Sequence, residues 1–236
     1  MGVQLFAPRG SGNQLIKLPT SLRKTVRWLP QIGDVFPDFT VETTQGELRF
    51  WDWADGGWTH LFSHPAANTP VCTTEMVAVA NMSAAWKKQN VKHLALSGSP
   101  LDEQLSWHAD MKSLFGTQID FPCAHDRGLN LSRLFGMMHE KESATWPIRK
   151  SFLIDPSMHI AMIFEYPVFI GRNIEEVLRV LQALQLRDET GAATPADWYG
   201  GDIAIIPDDR SEITVFEQFG ANSMRLLPYL RVVGSA

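Results

Sequence analysis

Cysteine is scarce in this chain: 236 residues hold two, Cys72 and Cys123. Two thiols are too few for a disulfide framework and their spacing matches no zinc pattern, which excludes a stapled secreted scaffold and a zinc fold. Long apolar runs are also missing. None approaches the roughly 20 residues of a membrane-spanning helix, and no secretory hydrophobic core is visible. Positive charge is not in excess, with 21 Lys and Arg against 26 Asp and Glu and a net charge of -5, which argues against a general nucleic-acid binder. There is no internal repeat and no low-complexity tract. What remains is 44% hydrophobic and 20% charged, a soluble globular composition long enough for a main domain and an appendage. The cysteine usage suits a reducing compartment, and a cytoplasmic location is expected.

The charge is uneven. Arg9, Lys17, Arg23, Lys24 and Arg27 all precede the first acidic residue, Asp34. Such a basic start is shared with organelle transit peptides, but residues 1–31 are expected to form an arm that packs on the body or on a partner subunit.

Beyond the arm, alternation over Thr40–Thr43 and Glu47–Phe50 around Gly46 predicts a hairpin. Trp58–Phe62 reads as a short buried strand. From Thr73 to Gln89 the apolar positions Met76, Val79, Ala80 and Trp86 recur at helical spacing, and Lys87-Lys88 suits the helix end. Val91–Ser97 is a strand, followed by a helix with Asp102-Glu103 in its first turn that ends at Phe115-Gly116. Asp120–His125 reads as another strand and Gly128–Met137 as a short helix. Lys150–Asp155 and His159–Phe164 form a second hairpin, and Asn173 caps a helix over Ile174–Leu186. Strands alternating with helices predict an α/β domain with a mixed sheet over 32–186. Residues 187–236, lacking any further helix of length, are expected to be a small β-rich extension.

The best chemical clue is the stretch Pro65-Ala66-Ala67-Asn68-Thr69-Pro70-Val71-Cys72. It places Cys72 in the first turn of a helix, where free backbone N–H groups and the helix dipole favour a thiolate. A helix-opening turn also brings the Thr69 hydroxyl back toward the sulfur, where it can bond a peroxide, while Pro65 shields the sulfur from bulk water. Cys123, in Phe-Pro-Cys-Ala-His, reads as a small buried hydrophobe rather than a resolving thiol. His60 and His64 do not suggest a metal pair, because i,i+4 spacing brings ligands together on a helix and this segment is strand and loop. No metal or other cofactor is called for.

Phe62-Ser63-His64-Pro65 with Thr69-Pro70-Val71-Cys72-Thr73-Thr74-Glu75 resembles the active-site signature of the peroxiredoxins, in particular the one-cysteine, peroxiredoxin-six type. Asp34, Pro37-Asp38-Phe39, Phe121-Pro122, Asp126-Arg127, Arg149, Tyr166-Pro167, Gly171-Arg172-Asn173 and Ala193–Trp198 fall in that family's order, so the resemblance runs from about Ile32 to Val233. It implies a thioredoxin-like fold and a thiol-dependent peroxidase in which Cys72 attacks a peroxide and becomes a sulfenic acid. It further implies that Thr69 orients the peroxide, Pro65 shields it, Arg149 stabilises the thiolate, His64 is the active-site histidine and Glu75 orients the arginine, with Arg172 a further member. An external thiol or other reductant is implied for regeneration and a homodimer for assembly, with the 187–236 extension reaching over the partner; nucleic acid and membrane are not expected partners. A redox-switched chaperone or signalling protein with little turnover is the alternative. The segment Asp55-Gly56-Gly57-Trp58-Thr59 departs from the Gly-Asp-Ser-Trp-Gly stretch that some relatives link to phospholipase activity, so no serine-dependent lipase is expected.

Overall fold

Thr40–Thr43 (β1) and Gly46–Arg49 (β2) pair antiparallel, Thr43 opposite Gly46; Gly46 takes φ 107°, which L side chains rarely adopt. The structure, a computed structural model, describes residues 29–234, so almost all of the predicted arm, with its five basic residues, lies outside the described residues. Phe50 does not continue the second strand as expected. It opens a five-residue helix, Phe50–Ala54 (α1), because Asp38 accepts from the Trp51 N–H and the Arg49 guanidinium and turns the chain there. One and a half turns are too short to leave a periodic signal.

Trp58–Ser63 (β3) is buried along its whole length. The predicted helix over 73–89 is two helices. It starts earlier, as Pro70–Asn81 (α2) with proline in the first turn, where a missing N–H costs nothing. It then breaks at Met82 and resumes as Ser83–Lys88 (α3). The break has a partner: the buried Trp86 indole N–H donates to the Val79 carbonyl at 3.0 Å, occupying an acceptor that a continuous helix would use for its backbone.

Val91–Ser97 (β4) is followed by Leu101–Phe115 (α4), which ends on Gly116 in the left-handed conformation. The strand predicted over 120–125 shrinks to Cys123–His125 (β5), since Pro122 has no N–H for the ladder. In place of one helix over 128–137 there is a 3-10 turn at Arg127–Leu129 and then Asn130–Leu134 (α5). Arg149–Ile154 (β6) and Ile160–Tyr166 (β7) form the second hairpin. Ile174–Thr190 (α6) is capped by the Asn173 side chain and runs four residues past the predicted end, to Gly191.

The sheet order is β2-β1-β5-β4-β3-β6-β7. β3, β4 and β5 are parallel and the remaining pairs antiparallel, a mixed thioredoxin-like sheet. Its two faces carry separate cores. Leu61, Leu94, Phe152 and Ile154 join Phe36, Phe50 and Phe135 on one, with Phe36 5.2 Å or less between ring centroids from each of the last two and Phe152. Truncating Phe36 there to alanine would cost about 3–5 kcal/mol. On the other face Trp58, Phe62, Ala95 and Leu153 pack with Cys72, Met76, Trp107 and Val177 from the helices. Residues at odd positions of β6, Arg149, Ser151 and Leu153, thereby share the face against which α2 lies.

The remainder is Ala204–Ile206 (β8), Glu212–Phe219 (α7), Ser223–Leu227 (β9) and Leu230–Val233 (β10). The strands make a three-stranded sheet ordered β8-β10-β9. The eight-residue helix corrects the expectation that this segment has none. Ser211 caps it through the Thr214 N–H, and Val215 and Phe219 pack with Ala204, Ile206 and Val233, whereas Ile213 and Phe216 stay exposed and blur the helical stripe.

Candidate active site

Where β3 ends, the chain is tied down residue by residue. The Ser63 hydroxyl donates to Ile148 O at 2.6 Å, His64 N to Leu96 O at 3.0 Å and Ala67 N to Ser99 Oγ at 2.9 Å. Asn68 adopts φ 55°, a conformation asparagine tolerates better than most residues, and its amide reaches Glu103 on α4. Thr69 is then extended at the N-cap and Pro70 begins α2. This geometry makes Cys72 the third helical residue, inside the turn whose N–H groups lack intrahelical acceptors. The Thr69 hydroxyl does not cap the helix; it donates to Ala66 O at 2.9 Å, which leaves its oxygen lone pairs free to accept.

Across from the helix start stands Arg149, the first residue of β6 and 2% exposed. Its Nη1 lies 3.3 Å from Cys72 Sγ and 2.7 Å from Glu75 Oε2, and its Nε donates to Val168 O at 2.8 Å. Glu75 is one helical turn beyond Cys72, so both face the same way. Arg172 closes the cluster: its backbone N and Nε donate to Glu75 Oε1 at 2.7 and 3.0 Å, and its Nη2 to Oε2 at 2.8 Å. Each carboxylate oxygen thus accepts two N–H groups. Burial pushes the Glu75 carboxyl up, but Arg172 and then Arg149 more than reverse this and hold it below the usual range. Two guanidiniums and one carboxylate leave one positive charge buried beside the Cys72 sulfur.

His64 is 1% exposed and packs against Trp107, the two rings tilted by 46° with centroids 5.5 Å apart. Neither ring nitrogen has a well-formed hydrogen bond, with only a weak interaction from the Ala66 backbone. Burial first, and then Arg172, lowers its pKa to about 4 against the pull of Glu75, so it is neutral at pH 7. His108, beside Trp107 on α4, is likewise lowered to about 4, by burial and then by His64. Pro65 is buried. A cavity of about 460 Å³ borders the helix start and is lined by Thr69, Pro70, Thr73 and Trp107, but not by Cys72 or Arg149.

The structure therefore brings together Cys72, Arg149, Glu75 and Arg172 in direct contact, with Thr69, Pro65 and His64 on the loop that leads to them. Sequence reasoning missed the Val168 carbonyl, which fixes Arg149 and carries no side-chain signal, and the anchors Ser99 and Asn68. Cys123 is fully buried with its Sγ 3.7 Å from Phe121 O, and burial pushes its thiol up, which keeps it protonated and inert. His60 bonds to His93 and Ser151 rather than to His64. Gly57 precedes β3 where an added Cβ would sit 3.1 Å from Asn90 O, so the backbone there leaves little room for a serine.

Comparison with known proteins shows the family. Residues 32–163 match the AhpC/TSA family, and residues 183–217 the C-terminal domain of 1-Cys peroxiredoxin. A peroxiredoxin of Aquifex aeolicus is 42% identical over 170 residues, 72% of this chain and 77% of its own. The 1-Cys peroxiredoxin of Dictyostelium discoideum is 33% identical across 86% of this chain and 84% of its own. Among solved structures, yeast mitochondrial 1-Cys peroxiredoxin, whose thiol is resolved via glutathione/thioredoxin systems, superposes with a TM-score of 0.81 at 37% identity, covering 87% of this chain and 99% of the other. With the family matched over both regions and the thiol site assembled on its fold, this chain belongs to the peroxiredoxins of the 1-Cys type, which are thiol-dependent peroxidases.

Proposed function

We propose that Cys72 is the peroxidatic cysteine and that Arg149, held by Glu75, Arg172 and the Val168 carbonyl, is the cation that serves it. The observation that carries this is the 3.3 Å approach of Arg149 Nη1 to the Cys72 sulfur inside a cluster with one positive charge to spare. The thiolate attacks one oxygen of R′OOH, a sulfur–oxygen bond forms as the O–O bond breaks, and R′O⁻ leaves and takes a proton to become water or an alcohol. Cys72 is left as sulfenic acid. Thr69, whose own proton goes to Ala66 O, accepts from the peroxide, Pro65 keeps water from the sulfur, and His64 serves as a neutral imidazole.

Regeneration comes from outside. Cys123 is buried and protonated, so an external thiol condenses with the sulfenic acid, releasing water, and a second thiol reduces the mixed disulfide. Glutathione or a thioredoxin-like protein fits this chemistry, given the resolution of the yeast relative via glutathione/thioredoxin systems. The protein acts as a homodimer in a reducing, cytoplasmic setting. Supporting the dimer, β7 stands at the edge of the sheet with one side unpaired among the described residues, and Ile213, Phe216, Met224 and Tyr229 of the extension are exposed apolar residues. Cys72→Ser should abolish peroxide reduction while leaving the fold and the dimer intact, measured by stopped-flow peroxide consumption and light scattering. Retained peroxidase activity in Cys72→Ser would sink the assignment.

A further inference from the structure

Behind the guanidinium cluster lies a second set of buried polar groups that the proposed reaction does not use. Arg172 spends its Nε and Nη2 on Glu75, and its plane lies against the Phe62 ring, 4.9 Å from Cζ to centroid. Its remaining nitrogen, Nη1, donates to Ser151 Oγ on β6 at 3.1 Å. Ser151 Oγ is 3.0 Å from His60 Nε2 on β3, and His60 Nδ1 is 3.2 Å from His93 Nδ1 on β4. Ser151 and His60 are fully buried and His93 nearly so. Three polar side chains cross three adjacent strands on one face of the sheet, among Phe62, Trp86 and Phe121, where apolar residues would pack at lower cost.

Donor and acceptor counts give this row a direction. A guanidinium only donates, so Ser151 Oγ accepts from Arg172. The Ser151 hydroxyl proton has one acceptor among the described residues, His60 Nε2, which must then be unprotonated. A neutral His60 carries its proton on Nδ1 and donates it to His93 Nδ1. We propose that Ser151, His60 and His93 form a directed hydrogen-bond chain that positions the Arg172 guanidinium and, through Glu75, aims Arg149 at Cys72. Ser151 and His60 are positioning residues: neither touches the sulfur. Burial, His93 and Arg172 together keep His60 uncharged far below neutral pH, and burial keeps His93 so down to about 3, consistent with a chain that holds one direction across the working range. It ends at His93 Nε2, a buried donor without a partner among the described residues, in the wall of a cavity of about 250 Å³ that Trp86 and Phe121 also line.

The inference rests on the assignment of Cys72 and Arg149 as the peroxide site, so Cys72→Ser is assayed alongside. Ser151→Ala and His60→Leu should each lower the second-order rate constant for Cys72 oxidation by hydrogen peroxide about tenfold, and Ser151→Thr, which keeps the hydroxyl, should restore it. Leucine at position 60 suits the apolar core around it, so His60→Leu should melt at or above the wild-type temperature while its rate falls, a divergence that a purely structural role does not produce. The double variant should be no slower than either single one, since both break the same chain. Wild-type rates in folded Ser151→Ala and His60→Leu, or multiplicative losses in the double variant, would overturn the chain while an inactive Cys72→Ser leaves the site standing. Activity in Cys72→Ser would overturn both.

Discussion

Replacing Glu75 by glutamine changes the side chain by one atom and one charge, yet the cluster leaves it no tolerable orientation. Oε1 accepts from the Arg172 backbone and Nε, and Oε2 from Arg149 Nη1 and Arg172 Nη2. Whichever way the amide is turned, its NH₂ faces two donors. Two guanidiniums that are almost wholly buried also lose their counter-charge. Breaking a buried ion pair from one side costs about 3–5 kcal/mol, so Glu75→Gln should lose stability of that order in urea unfolding. Arg149 remains but is no longer aimed, and the rate constant for peroxide should fall about 10- to 100-fold, as when a group that orients a catalytic ligand is removed. Two further features separate this account from a general loosening. The guanidiniums hold Glu75 ionised well below neutrality, so the ratio of wild-type to variant rates should stay flat between pH 5 and 8, and burial should make it insensitive to salt. A Glu75→Gln protein within twofold of the wild-type rate and equally stable would refute the reasoning.

Thr69→Val should slow peroxide reduction at least about tenfold, because valine keeps the shape but supplies no group to bond the peroxide, whereas Thr69→Ser should retain most activity; equal rates in Thr69→Val and wild type would remove Thr69 from the site. Stability should fall with acid. His60, His64 and His93 have folded-state pKa values below the unfolded 6.5, so the unfolded chain binds more protons as pH drops below 6.5, and each histidine should cost about 2 kcal/mol by pH 5. The slope for His64 ends near pH 4, its folded value. Urea midpoints that coincide at pH 7 and pH 5 would contradict this.

Part of this architecture was legible in the sequence because it leaves local marks. The strand-helix alternation predicts the mixed sheet, and proline, threonine and cysteine at their spacing place the thiol at a helix start. Phe50 and Met82 were not legible, since a five-residue helix has no period to detect and the break at Met82 depends on the Trp86 indole reaching Val79. The helix at Glu212–Phe219 was missed because its apolar residues point both to the core and to solvent. At the site, Arg149 emerged only through resemblance. Its contact with Cys72 spans 77 residues, and no local pattern records a meeting made by the sheet. The row Ser151, His60 and His93 carried still less signal, one polar residue on each of three strands that only the pairing brings together, His93 opposite His60 and Ser151 opposite Phe62, diagonal to His60 on the same face.

The most direct test of the central claim is mass spectrometry of both cysteines after graded hydrogen peroxide, without an added thiol. Sulfenic acid on Cys72, advancing to sulfinic acid as peroxide rises, with Cys123 remaining a free thiol throughout, is the predicted result. Oxidation of Cys123 before Cys72, or a disulfide between them at stoichiometric peroxide, would contradict it.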